Sequence, residues 1–304
     1  MKKSYIVLII LGFLILFLLP AHTQVQFSFD VDYWLARGYL NWTVAGYTDD
    51  PYFPGWPTRF RSELDWDVNA NMIVLNGEVR PISWFSIDAT YGTGAVQQGI
   101  CTDTDWLLDY SSSIPWIQTE SPSSGESYFY NFNINFRPLG TELEIGSLDI
   151  FAGYESTSIG LRMTDPISYI YSDWWYLGGY DIYAGLNSTY NIVYRGFRVG
   201  IRGQLQPVSS LGLTGAIAYS PSLNIQGEGF WNLRTDVDPS GWRFYDYGTG
   251  YSLGYDLSLK INPVEYLSVE IGYRGRILMV TQSQDWESCE VKQDGFFIEG
   301  RIAI

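Results

Sequence analysis

Two aspartates two positions apart, Asp103 and Asp105, are the residues whose spacing points most directly to chemistry. They lie between segments in which apolar residues alternate, so we expect the stretch 100–107 to be a loop or the upper end of a strand. If it is extended, both side chains point to the same face. Two carboxylates held this close raise each other's pKa and can share a proton, which suits them to activate a water molecule. Two solvated acids, or half of a weak cation site, are the alternatives that the spacing leaves open.

The first 23 residues predict an exported protein. A basic start is followed by an apolar run over 5–19 and then by small residues, the pattern of a secretory signal peptide that is cleaved near position 23. The run is short for a permanent membrane helix, which needs about 20 apolar residues. Cleavage would also remove His22, the only histidine of the chain, so we expect no histidine-based catalysis and no histidine metal site in residues 24–304.

Composition narrows the class of partner. The chain carries a net charge of −15, and this acidity argues against nucleic acid as a partner. We expect no cofactor and no metal. The two cysteines, Cys101 and Cys289, fit an exported protein with one disulfide, although their spacing cannot show that they pair.

Residues 24–304 predict an all-β domain, an outer-membrane β-barrel. Segments such as 128–137, 253–261, 267–274 and 296–304 alternate with a period of two between an aromatic and aliphatic face and a face of charged, amide and small residues. A soluble β-sandwich would bury the apolar face in a dry interior. An exported chain without a second apolar run long enough for a membrane helix is instead typical of a transmembrane barrel, whose apolar face meets lipid.

Ten antiparallel strands are predicted, an even number as in bacterial barrels. Short connections, interpreted as periplasmic turns, alternate with longer ones, interpreted as extracellular loops, and a loop-to-loop disulfide would join two of the longer ones. A ten-stranded barrel is narrow, so we expect side chains to fill its lower lumen, which argues against a general diffusion pore. The predicted strands are 25–44, 61–80, 84–99, 128–138, 145–163, 183–205, 211–228, 245–261, 267–282 and 291–304. The predicted long loops are 45–60, 100–127, 164–182, 229–244 and 283–290.

Several short motifs follow one another along the chain. They are Ser62-Glu63-Leu64-Asp65-Trp66, Asp103-Thr104-Asp105-Trp106, Glu120-Ser121, Ala152-Gly153-Tyr154 and Ser168-Tyr169-Ile170-Tyr171-Ser172. In type, order and spacing they resemble the motifs of the omptin family, the ten-stranded outer-membrane endopeptidases of Gram-negative bacteria. The resemblance implies an aspartic-type endopeptidase site at the extracellular barrel mouth, where an Asp pair faces an Asp–His pair and a water between them attacks the peptide bond.

The catalytic part of the resemblance is incomplete. Asp103 and Asp105 match the family's Asp pair, but the region that should supply Asp-x-His on the opposite wall contains no histidine. One alignment of this region places Phe230 and Asn232 at the second pair. The imidazole that would act as general base near neutral pH is therefore missing.

A second alignment places Arg234 and Asp236 at the second pair. Asp236 is then the candidate partner acid, and two carboxylate pairs would give chemistry closer to that of an aspartic protease dyad. The alternative is that Asp236 and Asp238 only form an Asp–Pro turn.

Two further positions depart from the family pattern. Trp42 falls where the family has an acid that receives a basic substrate residue, and Tyr154 alone remains of the family's lipopolysaccharide-binding motif. The resemblance therefore implies Tyr154 as a lipid-binding residue, but it carries over neither a substrate preference nor a dependence on lipopolysaccharide.

We therefore expect a monomeric omptin-like barrel in the outer membrane of a Gram-negative-type bacterium, in contact with outer-membrane lipid. Its endopeptidase activity on a peptide or protein substrate is expected to be impaired. The alternative is a non-enzymatic surface barrel that binds a ligand or partner through aromatic loops. The tryptophans available for such binding are Trp42, Trp56, Trp106, Trp116, Trp174, Trp175 and Trp231.

Overall fold

The computed structural model describes residues 25–49, 55–111, 115–138, 146–171, 184–233, 238–264 and 266–303. The expected signal peptide lies outside these residues. The strands within the described ranges are β1 (Gln26–Asp49), β2 (Pro57–Asp67), β3 (Ala70–Ile82), β4 (Phe85–Leu107), β5 (Ile117–Phe136), β6 (Gly146–Thr164), β7 (Ser168–Tyr171), β8 (Asn187–Val208), β9 (Leu211–Trp231), β10 (Trp242–Val264), β11 (Leu267–Ser283) and β12 (Ser288–Ala303).

These strands close into an antiparallel barrel with ten positions around its wall. β2 and β3 are two segments of one barrel strand, because β2 pairs with the upper parts of β1 and β4 while β3 pairs with their lower parts. β7 likewise continues β6 along β5. Pairing of β1 with β12 closes the barrel. The predicted ten-stranded antiparallel barrel is confirmed.

The interruption between β2 and β3 is held by a compact set of hydrogen bonds. The amide of Val68 donates to the carbonyl oxygen of Gly38 (3.0 Å), and the amide of Gly38 donates to Oδ1 of Asn69 (3.1 Å). From β12, Nε2 of the fully buried Gln293 donates to the carbonyl oxygen of Val68 (2.9 Å). The chain thus changes strand segment without leaving its buried backbone groups unpaired.

The alternation of side chains separates an apolar outer surface from a polar lumen. On β1, Phe29, Val31 and Tyr33 are exposed, whereas Asp30 and Asp32 between them are buried. The same alternation recurs in the lower part of β5, where Tyr128, Tyr130 and Phe132 are exposed, because successive side chains point to opposite faces.

The exposed apolar belt covers the lower part of the barrel. On β1 it runs over 27–35 and on β5 over 128–136, about the length of strand that crosses a bilayer. β4 continues beyond this belt to Leu107, and β10 begins at Trp242, well above the belt residue Leu257. The upper parts of the strands therefore project out of the membrane. In the described ranges, no helix is long and apolar enough to span a membrane.

Side chains fill most of the lower lumen, as expected, and they do so with ion pairs. Arg301 Nε lies 2.7 Å from Asp30, and Arg274 lies 2.8 Å from Asp32. Further ion pairs in this layer are Arg137–Asp149 at 2.8 Å, Arg80–Asp149 at 3.2 Å and Arg80–Glu78 at 2.7 Å. A cavity of about 240 Å³ remains among these groups.

Three expectations need correction. The predicted loop 100–127 is mostly strand, because β4 extends to Leu107 and β5 begins at Ile117. The loop 45–60 likewise shortens, because β1 extends to Asp49 and β2 begins at Pro57. The expected disulfide is not formed: Cys101 and Cys289 are both buried, free thiols.

Candidate functional site

Asp103 and Asp105 lie on the lumen side of β4, near its extracellular end. Asp103 is opposite Leu64 on β2, and Leu64 is opposite Trp42 on β1. Directly opposite residues of antiparallel strands share a face, and Leu64 and Trp42 are buried in the lumen. The two carboxyl groups therefore point into the barrel mouth, from a strand rather than a loop.

Asp103 has an unusual environment for a carboxylate. Its Oδ1 atom is buried and has no hydrogen-bond partner within the described part of the chain. Burial raises the pKa of Asp103 well above its usual range, and the neighbouring Asp105 carboxyl raises it further. Asp103 thus keeps a proton at pH values at which an exposed aspartate is ionised.

The next strand adds a hydroxyl to this pair. Ser121 on β5 lies opposite Cys101, one step below Asp103 on the lumen side. Its Oγ atom is also buried and lacks a hydrogen-bond partner among the residues described. The lumen side of β4 and β5 therefore holds two buried polar groups that their own surroundings leave unsatisfied, a pattern often found at functional sites.

The opposite side of the mouth is aromatic. We define the mouth cluster as Trp42, Tyr190, Trp231, Trp242 and Phe244. The ring of Trp42 on β1 lies 5.9 Å from that of Tyr190 on β8 and 6.4 Å from that of Phe244 on β10. Trp231 and Trp242 pack on Phe244 at 5.1 and 4.9 Å. Trp42 therefore reaches from the wall that carries Asp103 towards the opposite wall.

Asp246 on β10 is buried beside this cluster. Tyr190 donates its hydroxyl to Asp246 Oδ2 at 3.2 Å. Burial raises the pKa of Asp246 to about 6, the nearby Asp285 adds to the rise, and the hydrogen bond from Tyr190 opposes it. In the sequence, Asp246 could have been found from the alternation along β10, which places it on the same face as Ser252 and Ser258, whereas the family resemblance drew attention to Asp236.

Of the predicted partners on the opposite wall, the structure describes Phe230 and Asn232, and it does not bring these two to Asp103. Phe230 lies on the outer face, where Arg243 stacks on its ring at 5.4 Å, and Asn232 binds Gly185 O and Asn187 N at 2.7 Å each. Arg234 and Asp236 lie outside the described residues. Asp238 is exposed and accepts hydrogen bonds from Ser240, which lower its pKa, so Asp238 belongs to a surface turn.

Other residues singled out in the sequence have outward positions. Tyr154 lies on the outer face of β6, edge-on to the exposed Phe197 at 5.8 Å. Trp106 lies under Arg61 at 5.5 Å, and Trp56 is exposed. Trp174 and Trp175 lie outside the described residues. Among the residues that the structure describes, no group of His, Cys, Asp and Glu side chains is arranged to hold a metal ion.

Comparisons with known proteins support the fold. No protein-family model matches the chain, and no curated protein sequence matches it. The structure is similar to that of the outer membrane protease OmpT from Escherichia coli, with 16% sequence identity, a TM-score of 0.67, and coverage of 91% of this chain and 96% of that one. At this identity the similarity establishes a ten-stranded transmembrane barrel and nothing finer.

Two weaker similarities are to other outer-membrane proteins. A major outer membrane protein from Thermus thermophilus gives a TM-score of 0.38 at 11% identity, covering 91% of this chain and 99% of that one. Ail, the attachment invasion locus protein of Yersinia pestis, gives 0.28 at 9% identity, covering 92% and 99%. TM-scores this low carry no argument about function.

Proposed function

We propose that this chain is an outer-membrane barrel whose extracellular mouth hydrolyses peptide bonds with the carboxyl pair Asp103 and Asp105. The observation that carries the proposal is the pair itself: two carboxyl groups on the lumen side of β4. One of them has a raised pKa and a buried oxygen that finds no hydrogen-bond partner among the described residues. Perturbed carboxylates of this kind concentrate at catalytic sites. The resemblance to omptins and the fold shared with OmpT, a protease, support the same interpretation.

The chemistry is that of two carboxyl groups sharing one proton. The ionised carboxylate accepts a proton from water as the water oxygen attacks the carbonyl carbon, while the protonated carboxyl donates its proton to the carbonyl oxygen. When the tetrahedral intermediate collapses, the C–N bond breaks, the leaving nitrogen takes up a proton from the pair and the second carboxyl recovers one from the intermediate. Activity then requires one proton on the pair and is lost when both groups are ionised or both protonated.

This proposal differs from the family mechanism in the missing imidazole. The only histidine is His22, so the proton chemistry falls on carboxyl groups alone. We expect a lower rate than with an imidazole base, because a single shared proton limits the fraction of productive enzyme.

The test is cleavage of a peptide panel by the chain refolded into lipid vesicles, with and without lipopolysaccharide, between pH 4 and 8. Products are identified by mass spectrometry. Asp103→Asn is expected to abolish cleavage, whereas Asp238→Asn, which changes only an exposed turn carboxylate, is the matched control and should cleave normally. Absence of cleavage by a correctly folded wild-type chain across the whole pH range would reject the proposal.

A second candidate function is binding without chemistry. It is favoured by the mouth cluster, in which Trp231, Trp242 and Phe244 are only partly buried and present aromatic surface at the rim. Aromatic residues of this kind dominate binding surfaces. A peptide that binds the folded barrel with equal affinity in wild type and Asp103→Asn, and that is never cut, would favour this function.

The cellular setting forms part of the proposal. The belt of exposed apolar residues fits an outer membrane of the Gram-negative type, and the predicted signal peptide would bring the chain there. Outer-membrane lipid is then the partner of the outer surface, with Tyr154 as one contact, and the protein acts as a monomer.

A further inference from the structure

Asp246 lies across the barrel from the pair on β4. The barrel wall has ten strand positions, and β10 is five positions from β4 in either direction. β10 therefore lies on the wall opposite β4. Trp42 shows that the two walls are compared at the same height. It pairs with Leu64, which pairs with Asp103, and its ring contacts Phe244 on β10. Asp246 therefore lies at the level of the mouth and above the membrane belt.

Three side chains converge over a glycine at this point. A Cβ atom added at Gly227, the residue opposite Asp246 on β9, would lie 2.5 Å from the Tyr190 hydroxyl, 3.0 Å from Cζ2 of Trp286 and 3.2 Å from Asp246 Oδ2. Only a residue without a side chain leaves this space. The absence of a Cβ at Gly227 thus allows Tyr190, Trp286 and Asp246 to meet inside the lumen.

We call Asp246, Tyr190, Trp286 and Trp42 the mouth latch. The indole rings of Trp42 and Trp286 lie beside the Asp246 carboxyl, and neither indole N–H has a hydrogen-bond partner among the described residues. The latch joins four parts of the wall, because its residues come from β10, β8, the β11–β12 connection and β1. All four residues are more than nine-tenths buried.

None of the ion pairs among the described residues involves Asp246. The hydrogen bond from a titratable side chain to its carboxyl comes from the neutral Tyr190 hydroxyl, and the charged neighbour that acts most on its pKa is the acidic Asp285. Among the described residues, the titratable groups that act on it or lie beside it include Tyr190 from β8, Asp285 from the β11–β12 connection and Cys289 from β12. Asp285 is acidic, and burial raises the pKa of Cys289 to about 12, so its thiol is neutral. An ionised Asp246 is therefore a buried negative charge without an ion-pair partner in the described part of the chain, which is unfavourable.

The sign of the pH dependence follows from the two states of this group. In the closed mouth the pKa of Asp246 is about 6, whereas in an open mouth it would return to the ordinary value of about 3.9. The closed state is therefore fully favoured below pH about 4 and loses this advantage as pH rises through about 6. A difference of about two pKa units changes the ratio of open to closed molecules by about 100-fold.

We propose that Asp246 is the positioning residue of a pH-controlled gate, closing the mouth when it is protonated and releasing Trp42 and Trp286 when it ionises. The existence of the gate does not depend on catalysis. Its consequence, that substrate reaches Asp103 and Asp105 only after Asp246 has ionised, rests on the proposed hydrolytic function.

The test uses the protein's own thiol. Cys289 is buried, lies opposite Trp42 on the neighbouring strand, and its Sγ atom is 3.6 Å from the Tyr194 hydroxyl. In a Cys101→Ser background it is the single thiol. The readout is a labelling ratio: the rate at which a methanethiosulfonate reagent labels Cys289 in the folded chain, divided by the rate in the urea-unfolded chain at the same pH. The division removes the increase in rate that comes only from thiolate formation at higher pH. We expect this ratio to rise about 50-fold between pH 4 and 7, which is most of the change that the two-unit difference in pKa allows.

Three variants separate the gate from general loosening. Asp246→Asn, which cannot ionise, should show a labelling ratio that does not change with pH. Tyr190→Phe removes a hydrogen bond that favours the ionised form and should move the midpoint upward, whereas Asp285→Asn removes a nearby negative charge and should move it downward. If Asp246→Asn does not fold, the opposite shifts of the labelling midpoint in Tyr190→Phe and Asp285→Asn still test whether Asp246 controls the gate.

The outcomes are distinct. A pH profile in Asp246→Asn identical to that of wild type, or midpoints that move in the same direction in Tyr190→Phe and Asp285→Asn, would overturn the gate. If no variant cleaves any peptide, the hydrolytic proposal fails, but the labelling result still stands. If both hold, cleavage by wild type should rise between about pH 4 and 6 in parallel with labelling.

Discussion

Carboxylates are buried at two levels of this barrel, and their partners differ. In the lower lumen, Asp30 accepts hydrogen bonds from Arg301 at 2.7 and 3.1 Å and from Asn76 at 2.8 Å. In the mouth, Asp103 has an oxygen without a partner among the described residues, and the bond that Asp246 accepts comes from the neutral hydroxyl of Tyr190.

This difference in partners indicates different roles for the carboxyl groups of the two levels. Charges within the membrane belt are matched by arginines, because an unmatched charge there would be costly. The carboxyl groups of Asp103 and Asp246 in the mouth have no ion-pair partner among the described residues, so their protonation states respond to pH and to a substrate. Stability and function are thus assigned to different layers of one lumen.

The largest effect is expected from Asp30→Asn. Asp30 is buried and Arg301 is partly buried. Removing the carboxylate leaves the arginine with fewer acceptors inside the lumen, and we expect the free energy of unfolding to fall by about 3–5 kcal/mol. Urea titration of the refolded chain in lipid vesicles measures it, with Asp238→Asn as the exposed control. A loss below about 1 kcal/mol would show that the lower lumen does not depend on this pair.

Trp42→Ala tests the mouth in the same assay. Truncating this buried ring leaves a cavity beside Tyr190 and Phe244, and a loss of about 3 kcal/mol is expected. The defect should be confined to the mouth, so Cys289 should become accessible to thiol reagents while the amide protons of the lower strands stay protected. Loss of protection in the lower strands would mean that the two layers are coupled.

Asp103→Asn should act in the opposite direction from Asp30→Asn. Burial and the proximity of Asp105 penalise the ionised form of Asp103, so a neutral amide at this position should not lower the free energy of unfolding at pH 7 and is expected to raise it slightly. The same vesicle titration, run at pH 7 and pH 4, measures the sign. Equal losses in the two Asp→Asn variants would remove the contrast between the layers.

The smallest effect is expected from reducing agents. Cys101 and Cys289 are free thiols, so dithiothreitol should not change the unfolding midpoint. Quantification of thiols in the denatured chain should give two. A shift of the midpoint on reduction would show a disulfide in solution.

The sequence was sufficient for the lower barrel because alternation with a period of two is strong where one face meets lipid. It was insufficient for the upper extensions. In β4 beyond Gly99 and in β5 before Tyr128, Thr, Asp, Ser and Pro dominate, and these residues are typical of loops. Neither face of the wall meets lipid there, so the hydrophobic alternation that marks a strand is absent.

The candidate site could be predicted only in part. The shared face of Asp103 and Asp105 followed from their spacing, but Asp246 gains its character from burial by residues distant in sequence, such as Tyr190. The disulfide was misjudged for a spatial reason. Cys101 on β4 and Cys289 on β12 are separated by three strand spacings, about 14 Å along the wall, which a disulfide cannot bridge.

The interruption at Val68 and Asn69 has a consequence for how the barrel opens. Of the two strands beside it, β1 pairs first with β3 and then with β2, so hydrogen bonds above the break can be lost without removing those below it. The extracellular part can therefore act as a separate unit of local unfolding. Its amide protons should exchange with solvent while those of the membrane-spanning part stay protected. Substitutions in the extracellular part should therefore leave insertion of the barrel into the membrane unaffected.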